Sequence, residues 1–255
     1  MLDKILEVKR TEIAKLLKPE QVVQQQHRSL INAIKNRSRE VALIAEVKKA
    51  SPSKGIIRTD FEPVEIAKEY AASQVDAISV LTDQTFFQGD PTYLTRIKAA
   101  VNVPILRKDF IIEPIQLEES KAIGADAVLL IAAALSGTKA KELYEYAQHL
   151  ELEVLVEVHT VDELERVLSC FTPDLIGINN RNLETFETNL ENTLKIAQLV
   201  PNDIPFVSES GIHTSTDVQF VKKAGASAVL VGESLMKSRQ ISSAITELFR
   251  KQASI

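Results

Sequence analysis

The phrase KAIGADAVLLI (residues 121–131) recurs almost unchanged as KKAGASAVLVG (222–232), and YAASQVDAISVL (70–81) is a looser copy. Each copy reads as the end of a helix, then a glycine or polar residue that stops it, then a short apolar strand. Glycine suits this stop because it readily adopts the left-handed conformation that ends many helices. The repeat therefore predicts a fold in which helices and strands alternate.

Five further apolar runs lie before and between these copies and complete a set of eight candidate strands. They are ALIAEV (42–47), VPIL (103–106), LEVLVEV (152–158), DLIGI (174–178) and IPFVS (204–208). Several intervening segments have the apolar spacing of amphipathic helices. The clearest are 63–73, 140–150, 160–169 and 215–225. Thr138 and Thr160 are expected N-caps of two of them.

Alternating strands and helices indicate a parallel sheet, because each parallel strand needs a crossover connection. Eight such units in 255 residues predict an α/β fold of the closed (β/α)8 TIM-barrel type. An open doubly wound sheet is the alternative, but no Gly-x-Gly-x-x-Gly motif follows a strand. We expect one barrel domain over residues 1–255, with residues 1–40 forming an N-terminal helical extension.

Composition narrows the class of protein. Hydrophobic residues make up 45% of the chain and charged residues 25%, as in ordinary globular proteins. The net charge of −5 argues against a general nucleic-acid binder. Cys170 is the single cysteine, so a reducing compartment is favoured. Neither a secretory leader nor a membrane-spanning apolar run is evident, so we expect a cytoplasmic protein without a membrane partner. We also expect a monomer.

Charged side chains stand at the ends of the predicted strands, where barrel enzymes place their active sites. Glu46 and Lys48 are two residues apart on the first strand, so they should face the same way. Lys108 and Glu157 also follow apolar residues directly and should point toward the barrel axis. Burying unpaired charges costs several kcal/mol each, so grouping them around a shared polar site is the cheaper arrangement. Other strand ends supply Asp83, Asn179, Arg181, Glu209 and Ser210.

Two glycine turns predict a phosphate site after the seventh and eighth strands. SESGI (208–212) contains Gly211 and VGESL (231–235) contains Gly232, and both glycines let a ligand approach the backbone. The loops after these strands are the usual phosphate position in barrels. The carboxylate of Glu233 would repel a phosphate, so we expect it to turn away. In SPSKG (51–55), a predicted flexible loop, Ser51 is a further candidate anion contact.

Apolar residues near the same rim are candidates for a slot that holds a planar group. They are Phe87, Phe110, Leu130 and Leu183. A metal site is not expected, because the four histidines are scattered and lack ligand spacing with cysteine or carboxylates.

Taken together, these blocks resemble the indole-3-glycerol-phosphate synthase family over essentially the whole chain. The resemblance is carried by IAEVKKASPSKG (44–55), VPILRKDFII (103–112), GADAVLLIAAALS (124–136), LEVLVEVHT (152–160), IGINNRNLETF (176–186), PFVSESGI (205–212) and VLVGESLM (229–236). It implies a monofunctional barrel enzyme, a carboxy-lyase of tryptophan biosynthesis. The substrate would be 1-(2-carboxyphenylamino)-1-deoxyribulose 5-phosphate, and the products indole-3-glycerol phosphate, carbon dioxide and water. No cofactor is implied.

The resemblance also implies roles for individual residues. Lys108 matches a general acid that protonates the ribulose carbonyl, and Glu157 matches a residue of the later dehydration. Lys48 lies by the substrate carboxylate in the family and has also been assigned an acid role. Glu46 matches a carboxylate that orients the lysines. Positioning, substrate and phosphate contacts are implied at Ser51, Asn179, Arg181, Ser210, Gly211 and Gly232, and Glu209 joins the predicted substrate-binding set.

Two other readings of the strand ends stay open at this point. One is a different phosphate-handling barrel, such as a sugar-phosphate isomerase or an aldolase that forms a Schiff base on Lys48 or Lys108. The other is a barrel that binds a phosphorylated ligand without catalysis. For an acid–base enzyme, we expect burial and a neighbouring cation to lower the pKa of the catalytic lysine toward neutrality.

Prolonged chelation is expected to leave the activity of the purified protein intact, because the sequence offers no cluster with metal-ligand spacing. Formation of the indole product is measured before and after dialysis against a chelator. A loss of activity that a divalent ion restores would contradict this expectation.

Overall fold

The computed structural model describes residues 1–19 and 26–250. Residues 20–25 and 251–255, which the predicted extension and domain include, lie outside the described residues. Eight parallel strands close into a barrel in chain order, and the last pairs with the first through Ala42 and Ala228. The predicted (β/α)8 barrel is therefore confirmed. Its strands are β1 (Ala42–Val47), β2 (Ala77–Leu81), β3 (Ile105–Lys108), β4 (Ala127–Ile131), β5 (Glu153–Val158), β6 (Ile176–Asn179), β7 (Phe206–Glu209) and β8 (Ala228–Val231).

Helices surround this barrel and also precede it. Two of them come before β1, namely α1 (Leu2–Ile13) and α2 (Leu30–Lys35). The others are α3 (Pro63–Ala72), α4 (Gln84–Phe87), α5 (Pro91–Ala100), α6 (Pro114–Ala122), α7 (Gly137–His149), α8 (Val161–Cys170), α9 (Glu191–Ala197), α10 (Ser215–Lys223), α11 (Glu233–Lys237) and α12 (Ile241–Leu248). None of the helices in the described ranges is both long enough and apolar enough to span a membrane.

The repeated phrase corresponds to one helix, a left-handed turn and the next strand. Gly124 and Gly225 end their helices with φ of 92° and 97°, the conformation that favours glycine. Gln74 takes the same place in the looser copy, with φ of 58°. The alternation of helices and strands therefore follows from a local signal that recurs along the chain.

Details of the helix and strand ends differ from the sequence expectation. Thr160 is the N-cap of α8, as predicted. The expected cap at Thr138 is wrong, because Gly137 is already helical and the hydroxyl of Ser136 accepts the cap hydrogen bond from the Lys139 N–H group. The predicted flexible loop SPSKG is instead part of a short antiparallel hairpin that pairs residues 50–51 with 55–56.

Three strands extend one or two residues further toward the barrel mouth than the apolar runs suggest. The pairing of Leu81 with Lys108 and of Asn179 with Glu209 continues the sheet into the polar residues. These side chains therefore start from strand backbone, which holds their direction more firmly than a loop would.

The strands sort their apolar residues into two layers, because successive side chains point to opposite faces. Ile44, Leu106 and Leu155 fill the barrel interior, together with Leu30 and Ile34 of α2. Residues of the opposite parity pack between the strands and the surrounding helices. Glu153, at the start of β5, accepts hydrogen bonds from the Ser29 hydroxyl and the Ile31 N–H group. The beginning of α2 is thus held at the end of the barrel where the strands start.

At the opposite end of the barrel, a buried ion cluster holds α1. The Lys9 ammonium lies 2.8 Å from Asp83 Oδ2 and 2.9 Å from Asp109 Oδ1, in the loops that follow β2 and β3. Burial acts to lower the pKa of Lys9, but the two aspartates outweigh it and raise the pKa. Burial likewise opposes ionisation of Asp109, yet Arg107 and Lys9 bring its pKa down to about 2. These charges fix α1 against the mouth of the barrel.

Lys9→Met is expected to lower the free energy of unfolding by about 3–5 kcal/mol, because it leaves a buried carboxylate at Asp83 without its cation. Denaturant unfolding measures the loss. Lys4→Met is the matched control, since Lys4 lies on the exposed side of the same helix. Equal stabilities of the two variants would show that the buried cluster does not anchor α1.

Candidate active site

A cavity at the C-terminal ends of the strands brings together nearly all of the predicted site residues. Alternation along the strands explains this, since residues that end a strand with inward parity converge on the barrel axis. The predicted residues that line it are Glu46, Lys48, Ser51, Phe87, Lys108, Phe110, Glu157, Asn179, Arg181, Leu183, Glu209, Ser210, Gly211 and Gly232.

Two predicted residues lie elsewhere: Asp83 belongs to the ion cluster around Lys9, and the other is Leu130. Its side chain is fully buried in the layer between the barrel and the helices. Its neighbours Leu129 and Ile131 have the inward parity and line the cavity instead. The strand AVLLI is apolar throughout, so the sequence gives no sign of which residues face inward, and the prediction for Leu130 is wrong for that reason.

Lys108 is the centre of the polar floor. Its ammonium lies 2.7 Å from Glu157 Oε2 and 2.9 Å from Glu209 Oε2. Burial acts to lower the pKa of Lys108, but Glu157, Glu209 and Glu46 outweigh burial and raise it. The expectation that burial and a neighbouring cation would lower the lysine pKa is wrong for Lys108. The reason is that its nearest charged neighbours are carboxylates, while Lys48 is paired with Glu46.

The pKa values of the two carboxyl groups beside Lys108 are shifted in opposite directions. Burial raises the pKa of Glu209, and the nearby Glu157 carboxylate adds to this effect against the attraction of Lys108. Burial acts the same way on Glu157, but Lys108 and His159 outweigh it and lower its pKa. The surroundings therefore favour a proton on Glu209 over one on Glu157.

Two glycines make room for the buried carboxylates. A Cβ atom at Gly232 would collide with the carboxylate of Glu46, and one at Gly177 would collide with the carboxylate of Glu209. Gly232 therefore has a steric reason to lack a side chain, besides the predicted approach of a phosphate. Gly177 lies on β6 with the inward parity, and nothing in the sequence pattern singled it out.

The loop after β6 is built around two asparagines. Asn179 lines the cavity, and its side-chain oxygen accepts a hydrogen bond of 3.0 Å from the Arg181 N–H group. The buried amide of Asn180 donates to the Ser208 hydroxyl and to the carbonyls of Glu209 and Ser210. These bonds support Ser210, which has a left-handed φ of 62° that is uncommon for a residue with a side chain.

Glu233 does not turn away from the cavity, contrary to the sequence expectation. It lines the cavity at the start of α11. One of its oxygens lies 2.6 Å from the Lys237 ammonium and the other 3.8 Å from the Arg181 guanidinium. Burial acts to raise the pKa of Glu233, but Lys237 and other nearby cations, including Arg181, outweigh it and lower the pKa. Neighbouring cations thus offset its charge, so it needs no bulk solvent.

The apolar part of the cavity comes from two sources, one of which the sequence did not suggest. The rings of Phe87 and Phe110 lie 6.1 Å apart, and both line the cavity. Met1, Leu2 and Ile5 cover it from the N-terminal side. The apolar stripe of α1 is a usable signal that this helix packs on something, but the sequence does not say on what.

No group of three or more His, Cys, Asp or Glu side chains in residues 1–19 and 26–250 is arranged to hold a metal ion. The chemistry that the cavity offers comes from its lysines, carboxyl groups and backbone turns. The fold and the site define a (β/α)8-barrel enzyme that works by acid–base catalysis.

Comparison with known proteins gives the family. The family model described as indole-3-glycerol phosphate synthase matches residues 2–248. The indole-3-glycerol phosphate synthase of Priestia megaterium is 57% identical over 249 residues, covering 98% of this chain and 97% of the relative. The Halalkalibacterium halodurans enzyme of the same name is 56% identical, covering 98% and 96%. The chain belongs to the indole-3-glycerol phosphate synthase family, whose reaction is a carboxy-lyase step of tryptophan biosynthesis.

A solved structure of 3-hexulose-6-phosphate synthase superposes with a TM-score of 0.65. It is 16% identical and covers 82% of this chain and 98% of that chain. At this identity the likeness supports the barrel fold alone.

Gly232→Ala is expected to lower kcat by up to ~10²-fold, because the added methyl group displaces the Glu46 carboxylate and a displacement near 1 Å can cost that much. Steady-state kinetics separate kcat from KM. Ser234→Ala is the control, since the Ser234 hydroxyl points to the Ile212 carbonyl rather than into the cavity. A rise in KM with unchanged kcat would mean that Gly232 serves only the approach of the phosphate.

Proposed function

We propose that this cavity converts 1-(2-carboxyphenylamino)-1-deoxyribulose 5-phosphate to indole-3-glycerol phosphate, carbon dioxide and water. Membership of the family supports the reaction. The observation that carries the residue assignment is the Lys108 ammonium, held by two carboxyl groups on the floor of the cavity. The roles of individual side chains in this reaction are part of the proposal.

The first step needs a proton donor beside the ribulose carbonyl. Loss of carbon dioxide from an aromatic carbon requires that the ring carbon first attack the carbonyl carbon, which sacrifices the aromaticity of the ring. A proton delivered to the carbonyl oxygen makes that attack easier. Lys108 is placed for this task on the floor of the cavity, and the carboxyl groups around it keep its amine protonated in the free enzyme, although they also make the ammonium a weaker acid.

The protonated state of the Lys108 amine also argues against a Schiff-base aldolase that uses this residue. Such an enzyme needs a neutral amine as its nucleophile, and its lysine pKa is lowered for that purpose. The pKa of Lys108 is raised instead.

The proposed reaction proceeds through ring closure, loss of carbon dioxide and loss of water. The ring carbon that bears the carboxylate bonds to the carbonyl carbon, and the carbonyl oxygen takes a proton from Lys108. Carbon dioxide then leaves, and the electron pair of its bond restores the aromatic ring. The new hydroxyl group takes a second proton, from the Lys48 ammonium, and departs as water while the neighbouring carbon loses a proton to Glu157, which forms the indole. The two lysines then regain their protons from Glu157 and from solvent. Lys48 lies by the substrate carboxylate, where Glu46 orients its ammonium.

The two ends of the substrate fit different parts of the cavity. We place the phosphate beside Ser51, Gly211 and Gly232, close to the guanidinium of Arg181. The aromatic ring would lie against Phe87, Phe110 and Leu183. A local cationic mouth is what an anionic substrate requires of a protein whose net charge is −5.

We also propose that the protein acts as a single-domain monomer in the cytoplasm, without a nucleic-acid or membrane partner. The single cysteine favours a reducing compartment, and the negative net charge disfavours nucleic acid.

Lys108→Ala is expected to lower kcat by at least ~10²-fold, the usual scale for general acid catalysis. Lys108→Arg is the sharper variant, because arginine keeps the positive charge but its planar, delocalised guanidinium does not release a proton in proteins. If Lys108 donates a proton, both variants lose kcat while the Arg variant still binds substrate. Product is followed by indole fluorescence, which stands out because the chain has no tryptophan.

Lys68→Ala is the matched control, since Lys68 forms an exposed ion pair with Glu65. Near-normal kcat in the Arg variant would reject the donor role and move it to Lys48. Trapping of a lysine adduct by borohydride would instead favour the aldolase reading. Binding without product formation in the unaltered protein would favour a non-catalytic barrel.

A further inference from the structure

We propose that His159 is a positioning residue that holds the catalytic carboxylate of Glu157 through an ionic contact. This inference rests on the role of Glu157 proposed above. His159 Nε2 lies 3.3 Å from Glu157 Oε1, and His159 Nδ1 lies 3.3 Å from Glu163 Oε2. The imidazole thus stands between a carboxylate of the cavity and a second carboxylate outside the cavity.

The backbone of His159 leaves the ring little freedom. Its N–H group donates a 2.7 Å hydrogen bond to Glu163 Oε2, in the first turn of α8. Its carbonyl accepts a hydrogen bond from the Asn192 amide, which also donates to the carbonyl of Asn179. The residue is therefore fixed from α8 on one side and from α9 on the other, with only 8% of its surface exposed.

The contact between His159 and Glu157 depends on charge. The Nε2–Oε1 separation is that of an ion pair, but Nε2 has no partner with hydrogen-bond geometry. A neutral imidazole in the same place would therefore hold the Glu157 carboxylate only weakly. Without a well-aligned hydrogen bond, the attraction between the two side chains needs the positive charge of the imidazolium.

The surroundings of His159 favour the charged form. Carboxyl groups face it from three elements: Glu157 on β5, Glu163 on α8 and Glu209 on β7. Burial acts to lower the pKa of His159, but these groups outweigh burial and raise it above 6.5.

Glu157 is consequently held at both of its oxygens by different cations. Lys108 contacts Oε2 and His159 contacts Oε1, so the carboxylate plane is fixed relative to the floor of the cavity. If the imidazolium loses its charge, Oε1 is left buried with little compensation and the carboxylate can rotate. Displacement of a reacting group is costly for catalysis, whereas substrate binding depends mostly on other residues.

The pH dependence follows from this arrangement. Catalysis should fall as pH rises through the raised pKa of His159, because the imidazolium is then lost. Glu209 also titrates near the site, so a fall at alkaline pH does not by itself identify the group responsible. A substitution at Glu163 distinguishes the titration of His159 from that of Glu209. Glu163 contacts His159 and lies outside the group of carboxyl residues around Lys108.

The experiment combines kinetics with a direct titration. His159→Gln is expected to lower kcat by up to ~10²-fold with nearly unchanged KM. Glu163→Gln keeps an oxygen that can accept from the His159 N–H group but removes the charge, so its fall in kcat should occur at lower pH than in the unaltered enzyme. His149→Gln, at an exposed position on α7, is the matched control and should behave like the unaltered enzyme.

The histidine ring signals, followed by NMR against pH, give the second readout. The His159 signal is the one that His159→Gln removes, and its pKa should lie above 6.5 and drop in Glu163→Gln and in Glu157→Gln. A His159 pKa at or below 6.5, or an unmoved kcat profile in Glu163→Gln, would overturn the proposal. Failure of the proposed role of Glu157 gives a different result, namely an active Glu157→Gln enzyme.

Discussion

The mouth of the barrel depends on one set of contacts, the pairing of the buried Lys108 ammonium with the carboxyl groups of Glu157 and Glu209. Lys108, Glu157 and Glu209 can remain buried at the mouth only if each has a partner, because an unpaired charge away from water is costly. Lys108 serves both carboxyl groups, and His159 contacts the second oxygen of Glu157. The arrangement is also what keeps the lysine protonated in the free enzyme.

Space for these charges comes from residues that are not charged. Gly177 leaves room for the carboxylate of Glu209, and Gly232 leaves room for that of Glu46. Gly177 has the inward parity of β6 and Gly232 follows β8 directly, so a side chain at either position would project into the polar floor. Closure of the mouth follows the same rule of pairing, since Lys9 fixes α1 over the cavity by contacts with Asp83 and Asp109.

The sequence by itself predicted the barrel, because the signal for it is local and repeated. Each copy of the helix–turn–strand phrase contains its own stop residue, at Gly124, Gly225 or Gln74. Alternation along a strand is equally local, so the inward direction of Glu46, Lys48, Lys108 and Glu157 could be derived without any knowledge of contacts. Alternation fails as a guide where a strand is apolar throughout, which is why Leu130 was misplaced.

What only the tertiary structure decided is which charges meet. Lys108 and Glu209 are 101 positions apart in the chain, and Lys9 is nearly as far from Asp109, so no local rule connects either pair. The direction in which the pKa of Lys108 shifts depends on such distant partners. The pairing of Glu233 with Arg181 and the position of α1 also depend on contacts between residues far apart in the chain. The sequence determined the fold and the direction of the side chains, since both follow from short-range backbone preferences. The protonation and pairing of those side chains depend on distances in space, which exist only once the barrel has closed.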